Sequence, residues 1–210
     1  MDYYSSDTRL SNSYTLENFI GTNQLLSMPN SPTEQWMFDN LIFLADMCEE
    51  LTSKIGPFTI VSGFRTKELQ QALAAAGEPA TSKLSFHEAG RAVDIGPTSM
   101  GITEYFAKIL ADPVLRAKFS EISIKPNQNA LHLAINVPGD NRTPKITALD
   151  ENKNYVKLTV DQIQDYIAPY MQSVEDAVLV ASDAVTSNKL PVIIGAIGLV
   201  GLLFLKAFRS

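Results

Sequence analysis

The stretch SEISIKPNQNALHLAINVP, residues 120–138, predicts two β-strands joined by a polar turn. Apolar residues recur through SEISIKP and ALHLAINVP, and the NQN between them is typical of a turn. Alternation along the second strand places His132 on one face with Ala130 and Ala134. These small neighbours leave room beside the imidazole for a ligand or a substrate.

Short helices and short strands surround this pair. Further strands are predicted at residues 57–63 (PFTIVSG), at 90–96 (GRAVDIG) and in a hairpin at 145–158 with a polar tip. Helical patterns cover residues 13–20, 31–56, 66–77 and 101–119, the last one broken near Pro113. This order predicts an α+β fold with a small, mainly antiparallel sheet flanked by helices, a C-terminal helical stalk and one transmembrane helix.

The longest helical pattern before the stalk, residues 31–56, predicts a buried amphipathic helix. Ser31 or Thr33 can serve as its N-cap with Pro32 in the first turn. We expect Trp36 in the core. Cys48, the only cysteine, is expected as a buried thiol, and it can form no internal disulfide.

Composition sets the domain plan and excludes one class of partner. A chain of 210 residues that is 45% apolar suits one globular domain with appendages. The net charge of −6 and the lack of a basic run argue against nucleic acid as a partner. We divide the chain into an N-terminal arm (1–13), a domain (14–158), a helical stalk (159–188) and a transmembrane helix (189–208).

The C-terminal segments predict the stalk and the span. An apolar stripe at helical spacing, interrupted by Pro169, favours packing of the stalk on its own domain over a coiled coil, because no heptad is sustained. The following run, LPVIIGAIGLVGLLFL at 190–205, carries no charge, so residues 190–208 are expected to contact lipid. A buried core helix is the alternative. The expected localisation is a membrane with a single C-terminal span.

A second stretch, KLSFHEAGRAVDIG at 83–96, holds the other histidine, His87, and Asp94 seven residues later. Gly90 between them suits an unusual backbone angle. Together with His132, two imidazoles and one carboxylate suit zinc and leave a fourth position for water. The alternative interpretation is structural, with a surface histidine ahead of a core strand and a second histidine packed on its own strand.

Three motifs in order resemble the D-alanyl-D-alanine zinc metallopeptidases, in particular the phage and bacterial peptidoglycan-peptidase branch. The segment SFHEAGRAVDI (85–95) is similar to the family's S-x-H-x-x-G-x-A-x-D signature. Upstream, GPFTIVSGFRT (56–66) resembles its Gly-Pro, strand and S-G-[YF]-R element, and ALHLAINVP (130–138) resembles its final strand. The resemblance covers about residues 13–137, and it does not extend to the stalk or the apolar C-terminus.

The resemblance implies a set of site residues. It implies zinc held by His87, Asp94 and His132. It also implies that Arg65 helps to bind substrate or to shape the cleft, with a structural bridge as the alternative. Ser85 would bond the backbone or the substrate, with a loop-capping hydroxyl as the alternative. The implied partners are stem or cross-bridge peptides of peptidoglycan and, for a virion-associated enzyme, other virion proteins.

The sequence departs from the family at the general base. A common branch has Glu or Asp three residues before the last histidine, where this chain has Asn129, which cannot take a proton at neutral pH. The positions that serve other branches are Ala130 and Ala134. Glu88, directly after a ligand, and Glu121, at the start of the preceding strand, are the remaining candidates for a catalytic base.

The expected function is therefore a membrane-anchored zinc metallopeptidase that acts on peptidoglycan peptides. A virion-associated lytic enzyme that opens the host cell wall during phage entry fits this expectation. The membrane would then be the internal membrane of a virion. The alternative is a catalytically impaired module of the same fold, which serves as a structural or peptidoglycan-binding membrane protein of a virion or envelope.

Overall fold

The computed structural model describes residues 4–21, 28–77, 85–140 and 142–186, with side chains described as far as residue 176. The chain divides into two compact units, residues 1–160 and 161–210. The first unit contains five α-helices and six strands among its described residues: α1 (Glu17–Ile20), α2 (Gln35–Lys54), β1 (Phe58–Ser62), α3 (Lys67–Ala75), β2 (Ala92–Pro97), α4 (Ile102–Ala111), α5 (Pro113–Arg116), β3 (Phe119–Lys125), β4 (Ala130–Ile135), β5 (Lys145–Leu149) and β6 (Tyr155–Lys157).

The six strands form one mixed sheet in the order β1-β2-β4-β3-β5-β6. Four strand pairs are antiparallel, whereas β3 and β5 run parallel. The prediction of a mainly antiparallel sheet is therefore wrong. Local patterns identified each strand, but the pairing of β5 depends on where the connection after β4 leads.

That connection crosses the start of β3 and delivers β5 to its far side. The Asn136 side chain fixes the crossing, because its Nδ2 donates to the backbone oxygens of Phe119 at 3.1 Å and Arg142 at 2.9 Å. Consecutive strands β4 and β5 are therefore not neighbours in the sheet. The long-range contact that makes the sheet mixed carries no local sequence signal.

Helix α2 begins later than the sequence suggests. Its N-cap is Glu34, which makes no side-chain capping bond, so neither Ser31 nor Thr33 caps it. Trp36 is 44% exposed, which makes its assignment to the core wrong. The predicted buried face is confirmed at Leu41, Leu44 and Leu51, and Cys48 is buried beside them as predicted.

The N-terminal segment is tied to α2 by hydrogen bonds. The hydroxyls of Ser11 and Ser13 both donate to the carboxylate of Glu49 at 2.9 Å. Leu10 and Leu16 from the same segment are buried. This part of the predicted arm therefore contributes to the core of the first unit.

Helix α6 (Val160–Thr186) begins at the last residue of the first unit, and its other residues belong to the second unit. The helix continues through Pro169 without a break. In the described part of the chain, no helix is both long and apolar enough to cross a bilayer. This finding contradicts the predicted transmembrane helix and the membrane localisation derived from it. The segment predicted to span, residues 189–208, lies outside the described residues.

Candidate metal centre

The strand register aligns one polar residue from each strand in a row across the sheet. Directly paired residues point to the same face of a sheet, so these six side chains share one face. Asp94 and His132 are neighbours in the row because β2 pairs with β4. The complete row is Ser62, Asp94, His132, Ser123, Thr147 and Lys157. Two of the three predicted ligands are therefore brought together by backbone pairing alone.

The third predicted ligand, His87, reaches the same place from the turn before β2. The carbonyl of Gly63 at the end of β1 accepts a hydrogen bond from its Nδ1 at 2.6 Å. Since a carbonyl can only accept, Nδ1 carries the proton and Nε2 offers its lone pair to a metal ion. The turn itself is held against α2, where Asn40 donates to the Ala89 carbonyl at 2.8 Å.

Gly90 closes this turn in a conformation that favours glycine. Its φ is +68°, and an added Cβ would lie 2.5 Å from the carbonyl oxygen of Met37 in α2. A glycine is therefore required both by the backbone angle and by the close approach of the helix. The packing of the turn on α2 fixes the position of His87.

The three ligand atoms lie at the spacing that a single ion requires. The distances are 2.9 Å from His132 Nδ1 to Asp94 Oδ1, 3.2 Å from His87 Nε2 to His132 Nδ1, and 3.6 Å from His87 Nε2 to Asp94 Oδ1. A tetrahedral zinc site with bonds of about 2.0–2.1 Å has ligand–ligand distances of about 3.3 Å. The three residues predicted as ligands thus form a group that could hold a metal ion.

Burial and charge give two of these groups the protonation state that a metal ligand needs. Burial lowers the pKa of His87 to about 4, and the charge of Arg65 adds to the effect. Burial alone would raise the pKa of Asp94, but the attraction of His87, hydrogen bonds from both histidines and the charge of Lys125 hold it well below its usual range. At neutral pH His87 is a neutral imidazole and Asp94 a carboxylate, so neither has to lose a proton to bind an ion.

Arg65 links three other residues of the site through an ion pair and hydrogen bonds. Its Nη2 lies 3.4 Å from Asp94 Oδ2, its Nε and Nη2 donate to the Ser62 hydroxyl at 3.0 and 2.8 Å, and its Nη1 donates to Gln70 Oε1 at 3.1 Å. Each guanidinium nitrogen therefore has a partner within the protein. This geometry favours the structural bridge over direct substrate binding.

Ser85 caps the turn that carries His87. Its hydroxyl accepts a hydrogen bond from the backbone N–H of His87 at 3.2 Å, and its carbonyl accepts one from Ala89 at 3.0 Å. Both bonds shape the turn locally. The loop-capping alternative accounts for this serine.

The two candidate bases lie outside the metal-binding group. Burial raises the pKa of Glu88, and the charges nearest to it are those of Lys67 and Glu68 at the start of α3. Glu121 Oε1 accepts from the Ser123 hydroxyl at 3.3 Å and lies 3.9 Å from Lys145 Nζ. Glu121 therefore belongs to the polar face of the sheet that carries the ligands, whereas Glu88 is influenced by the charges of Lys67 and Glu68 in α3.

Lys125 is a site residue that the sequence interpretation missed. Its side chain is buried, and Nζ donates to Asp94 Oδ2 at 2.9 Å. It also hydrogen-bonds Tyr155 from β6. Alternation from Ser123, which pairs with His132, could have placed Lys125 on the ligand face.

The fold and the site together define an α+β domain with a candidate metal centre on the polar face of a mixed sheet. No protein-family model, curated protein or solved structure matches this chain. The family resemblance therefore rests on the three motifs in the sequence.

Proposed function

We propose that this chain is a zinc-dependent peptidase that acts on the peptides of peptidoglycan. The observation that carries the proposal is the convergence of His87, Asp94 and His132 at the spacing of one tetrahedral ion. Two imidazole nitrogens and one carboxylate oxygen suit zinc, whereas magnesium and calcium prefer ligand sets made of oxygen. When bound, zinc supplies a Lewis acid that polarises a peptide carbonyl and acidifies a water molecule.

Glu121 is the better candidate for the general base. Its carboxylate extends from the face of the sheet that holds the ligands, and it accepts a hydrogen bond from Ser123, whose backbone pairs with His132. A base must reach the attacking water directly or through one water molecule. In this proposal Glu121 takes the proton, and His87, Asp94 and His132 hold the ion.

The substrate class follows from the three motifs. They resemble those of enzymes that cut stem or cross-bridge peptides of the bacterial cell wall, and the proposed setting is a virion-associated lytic enzyme that opens the wall locally. Peptidoglycan peptides, zinc and neighbouring virion proteins are the proposed partners.

The test combines metal analysis with digestion of purified peptidoglycan by the full chain. We expect about one zinc per chain and new peptide fragments by mass spectrometry of the digest, with both lost in His132→Ala. Glu121→Gln should keep the zinc and lose most of the cleavage, while the matched variant Glu88→Gln should retain both. A zinc-loaded chain that releases no fragment would reject the peptidase.

A second candidate is a metal-bearing module that binds peptidoglycan without cutting it. The observation that favours it is Asn129, which is exposed, stands where relatives of the proposed class carry a carboxylate, and cannot accept a proton. Sedimentation of the zinc-loaded chain with intact peptidoglycan, without release of fragments, would support this module.

A further inference from the structure

The carboxylate of Asp94 divides its two oxygens between two kinds of partner. Oδ1 faces the histidines, at 2.9 Å from His132 Nδ1 and 3.6 Å from His87 Nε2. Oδ2 faces two cations, at 2.9 Å from Lys125 Nζ and 3.4 Å from Arg65 Nη2. Only Oδ1 lies at the point where the three ligand atoms meet.

We propose that Lys125 is a positioning residue of the metal centre, whose ammonium group occupies Oδ2 of Asp94 so that the carboxylate offers a single oxygen to a divalent ion. A carboxylate can bind a metal ion through one oxygen or through both. Zinc in a four-coordinate site requires the first mode, and larger ions such as manganese and calcium accept the second. Lys125 thereby selects for a small, four-coordinate ion.

The surroundings of Lys125 support a fixed ammonium group. The side chain is only 9% exposed, and a buried charge is costly unless it is paired and hydrogen-bonded. Asp94 supplies the opposite charge and Tyr155 supplies a phenol oxygen. Ala130, which pairs with Lys125 across β3 and β4, is small enough to leave room for the aliphatic stem. The ammonium group is thus held between the metal centre and β6.

Arg65 does not replace Lys125 in this role. Its contact with Oδ2 is the longer one, and its other donors are engaged by Ser62 and Gln70. The two cations approach from opposite sides of the row, Arg65 from the end of β1 and Lys125 from the end of β3. Removal of Lys125 leaves Oδ2 with the weaker partner and frees it to turn toward the ion.

The test uses the full chain and a ratio of metal affinities. Lys125 also repels any divalent ion, so its removal changes each single affinity through charge alone. Zinc and manganese carry the same charge, and the ratio of their affinities therefore isolates geometry. We expect Lys125→Met to lower the zinc-to-manganese affinity ratio about tenfold, the scale of effect seen when a partner of a metal ligand is lost. The cobalt-loaded variant should also lose intensity in its visible bands, because a second carboxylate oxygen raises the coordination number.

Matched variants separate the effect of the Lys125 cation at Asp94 Oδ2 from a general effect on packing. Lys145→Met removes a lysine from the same face of the sheet without touching Asp94 and should leave ratio and spectrum unchanged. Lys125→Arg keeps a cation at Oδ2 and should retain the four-coordinate cobalt spectrum. Tyr155→Phe removes one partner of the ammonium group and should lower the zinc-to-manganese affinity ratio by less than Lys125→Met does. It provides the test if Lys125→Met does not fold.

The possible failures are distinguishable. The inference depends on the metal centre of the proposed function and is independent of peptidase activity. An unchanged chain that binds neither zinc nor cobalt would overturn the centre and the inference together. A metal-binding chain whose Lys125→Met variant keeps its ratio and cobalt spectrum, or whose Lys125→Arg variant loses both to the same extent, would overturn the inference alone.

Discussion

At the scale of single residues, Asp94 is the point on which the charges of the site converge. Two imidazoles, one ammonium and one guanidinium contact its two oxygens within a buried environment. A carboxylate with so many charged partners keeps its negative charge in the folded protein. Its partners rather than its own position in the sequence decide which oxygen a metal ion can use.

The pKa of His87 predicts how the metal-free chain responds to acid. An ordinary histidine titrates near 6.5, whereas burial holds the pKa of His87 at about 4 in the folded chain. Between these values only the unfolded chain binds the proton, so the free energy of unfolding falls as the pH drops from 6.5 to 4, by on the order of 3 kcal/mol. The depressed pKa of Asp94 removes stability only at lower pH, below its ordinary value of 3.8.

Urea unfolding in the presence of a chelator at pH 7, 5.5 and 4.5 measures this slope. His87→Gln should flatten it, because glutamine does not titrate. A slope that is equally steep in His87→Gln would assign the pH dependence to other groups and contradict the buried, neutral His87.

Asn129 offers a gain-of-function prediction for the proposed peptidase. It has a left-handed backbone with φ of +47°, which Asn and Asp tolerate better than other side chains. Asn129→Asp therefore adds a second carboxylate, three residues before His132, with little backbone strain. We expect cleavage of peptidoglycan to rise, but by less than the ~10²-fold of a first general base, because Glu121 already takes the proton. Asn127→Asp adds the same charge in the same turn and should leave the rate unchanged. Equal rates in the two variants would show that a carboxylate at position 129 adds nothing to the base.

At the scale of elements, the turn that carries His87 depends on its contact with α2. The sequence motif identified the turn and its glycine, but it contained no information on which helix would close over it. Asn40 supplies a hydrogen bond to the Ala89 carbonyl, and nothing in the local pattern distinguishes it from any other polar residue on a helix. The partner of a predicted loop is a tertiary property.

Gly90→Ala should destabilise the packing of the turn on α2 by more than the strain of its positive φ alone. Gly90 and Gly77 both have positive φ, but an added Cβ meets the Met37 carbonyl at 2.5 Å in the first case and no described atom within 4 Å in the second. We expect Gly90→Ala to lower the free energy of unfolding by about 1–3 kcal/mol more than Gly77→Ala. Zinc affinity should fall only in Gly90→Ala. Urea unfolding and zinc titration of both variants check this, and similar losses in the two would contradict the close packing of the turn on α2.

The strands show where prediction from the sequence succeeds and where it stops. Alternation located β4 with His132 on the ligand face, and the turn at NQN joined it correctly to β3. Strand β5 was predicted, but its parallel pairing with β3 was missed, because its position depends on the Asn136 hydrogen bonds that guide the preceding connection. Lys125 was missed for a related reason, because its role depends on a hydrogen bond to Asp94, which lies on another strand, β2.

At the scale of the whole molecule, the candidate site belongs entirely to the first compact unit. The three ligands, Arg65 and Lys125 all precede residue 160. The end of this unit is anchored at Leu158, which is buried and whose backbone N–H donates to the Ile146 carbonyl at 3.0 Å. Among the described residues, the metal centre takes its three candidate ligands from the first unit.

Truncation tests this division. We expect a chain that ends at Val160 to bind zinc with the stoichiometry and affinity of the full chain, measured by zinc titration. A chain that ends at Asp150 loses β6 with Tyr155 and should show a changed zinc-to-manganese affinity ratio, because Lys125 loses a partner. Loss of zinc binding in the chain that ends at Val160 would contradict a self-contained first unit.

Zinc-edge X-ray absorption on the full, zinc-loaded chain reports whether His87, Asp94 and His132 together hold one zinc ion. We expect one zinc per chain, with two imidazole nitrogens at about 2.0–2.1 Å and one carboxylate oxygen at about 2.0–2.2 Å. A chain that remains zinc-free after dialysis against the ion, or a zinc shell with sulfur at about 2.3 Å, would contradict it.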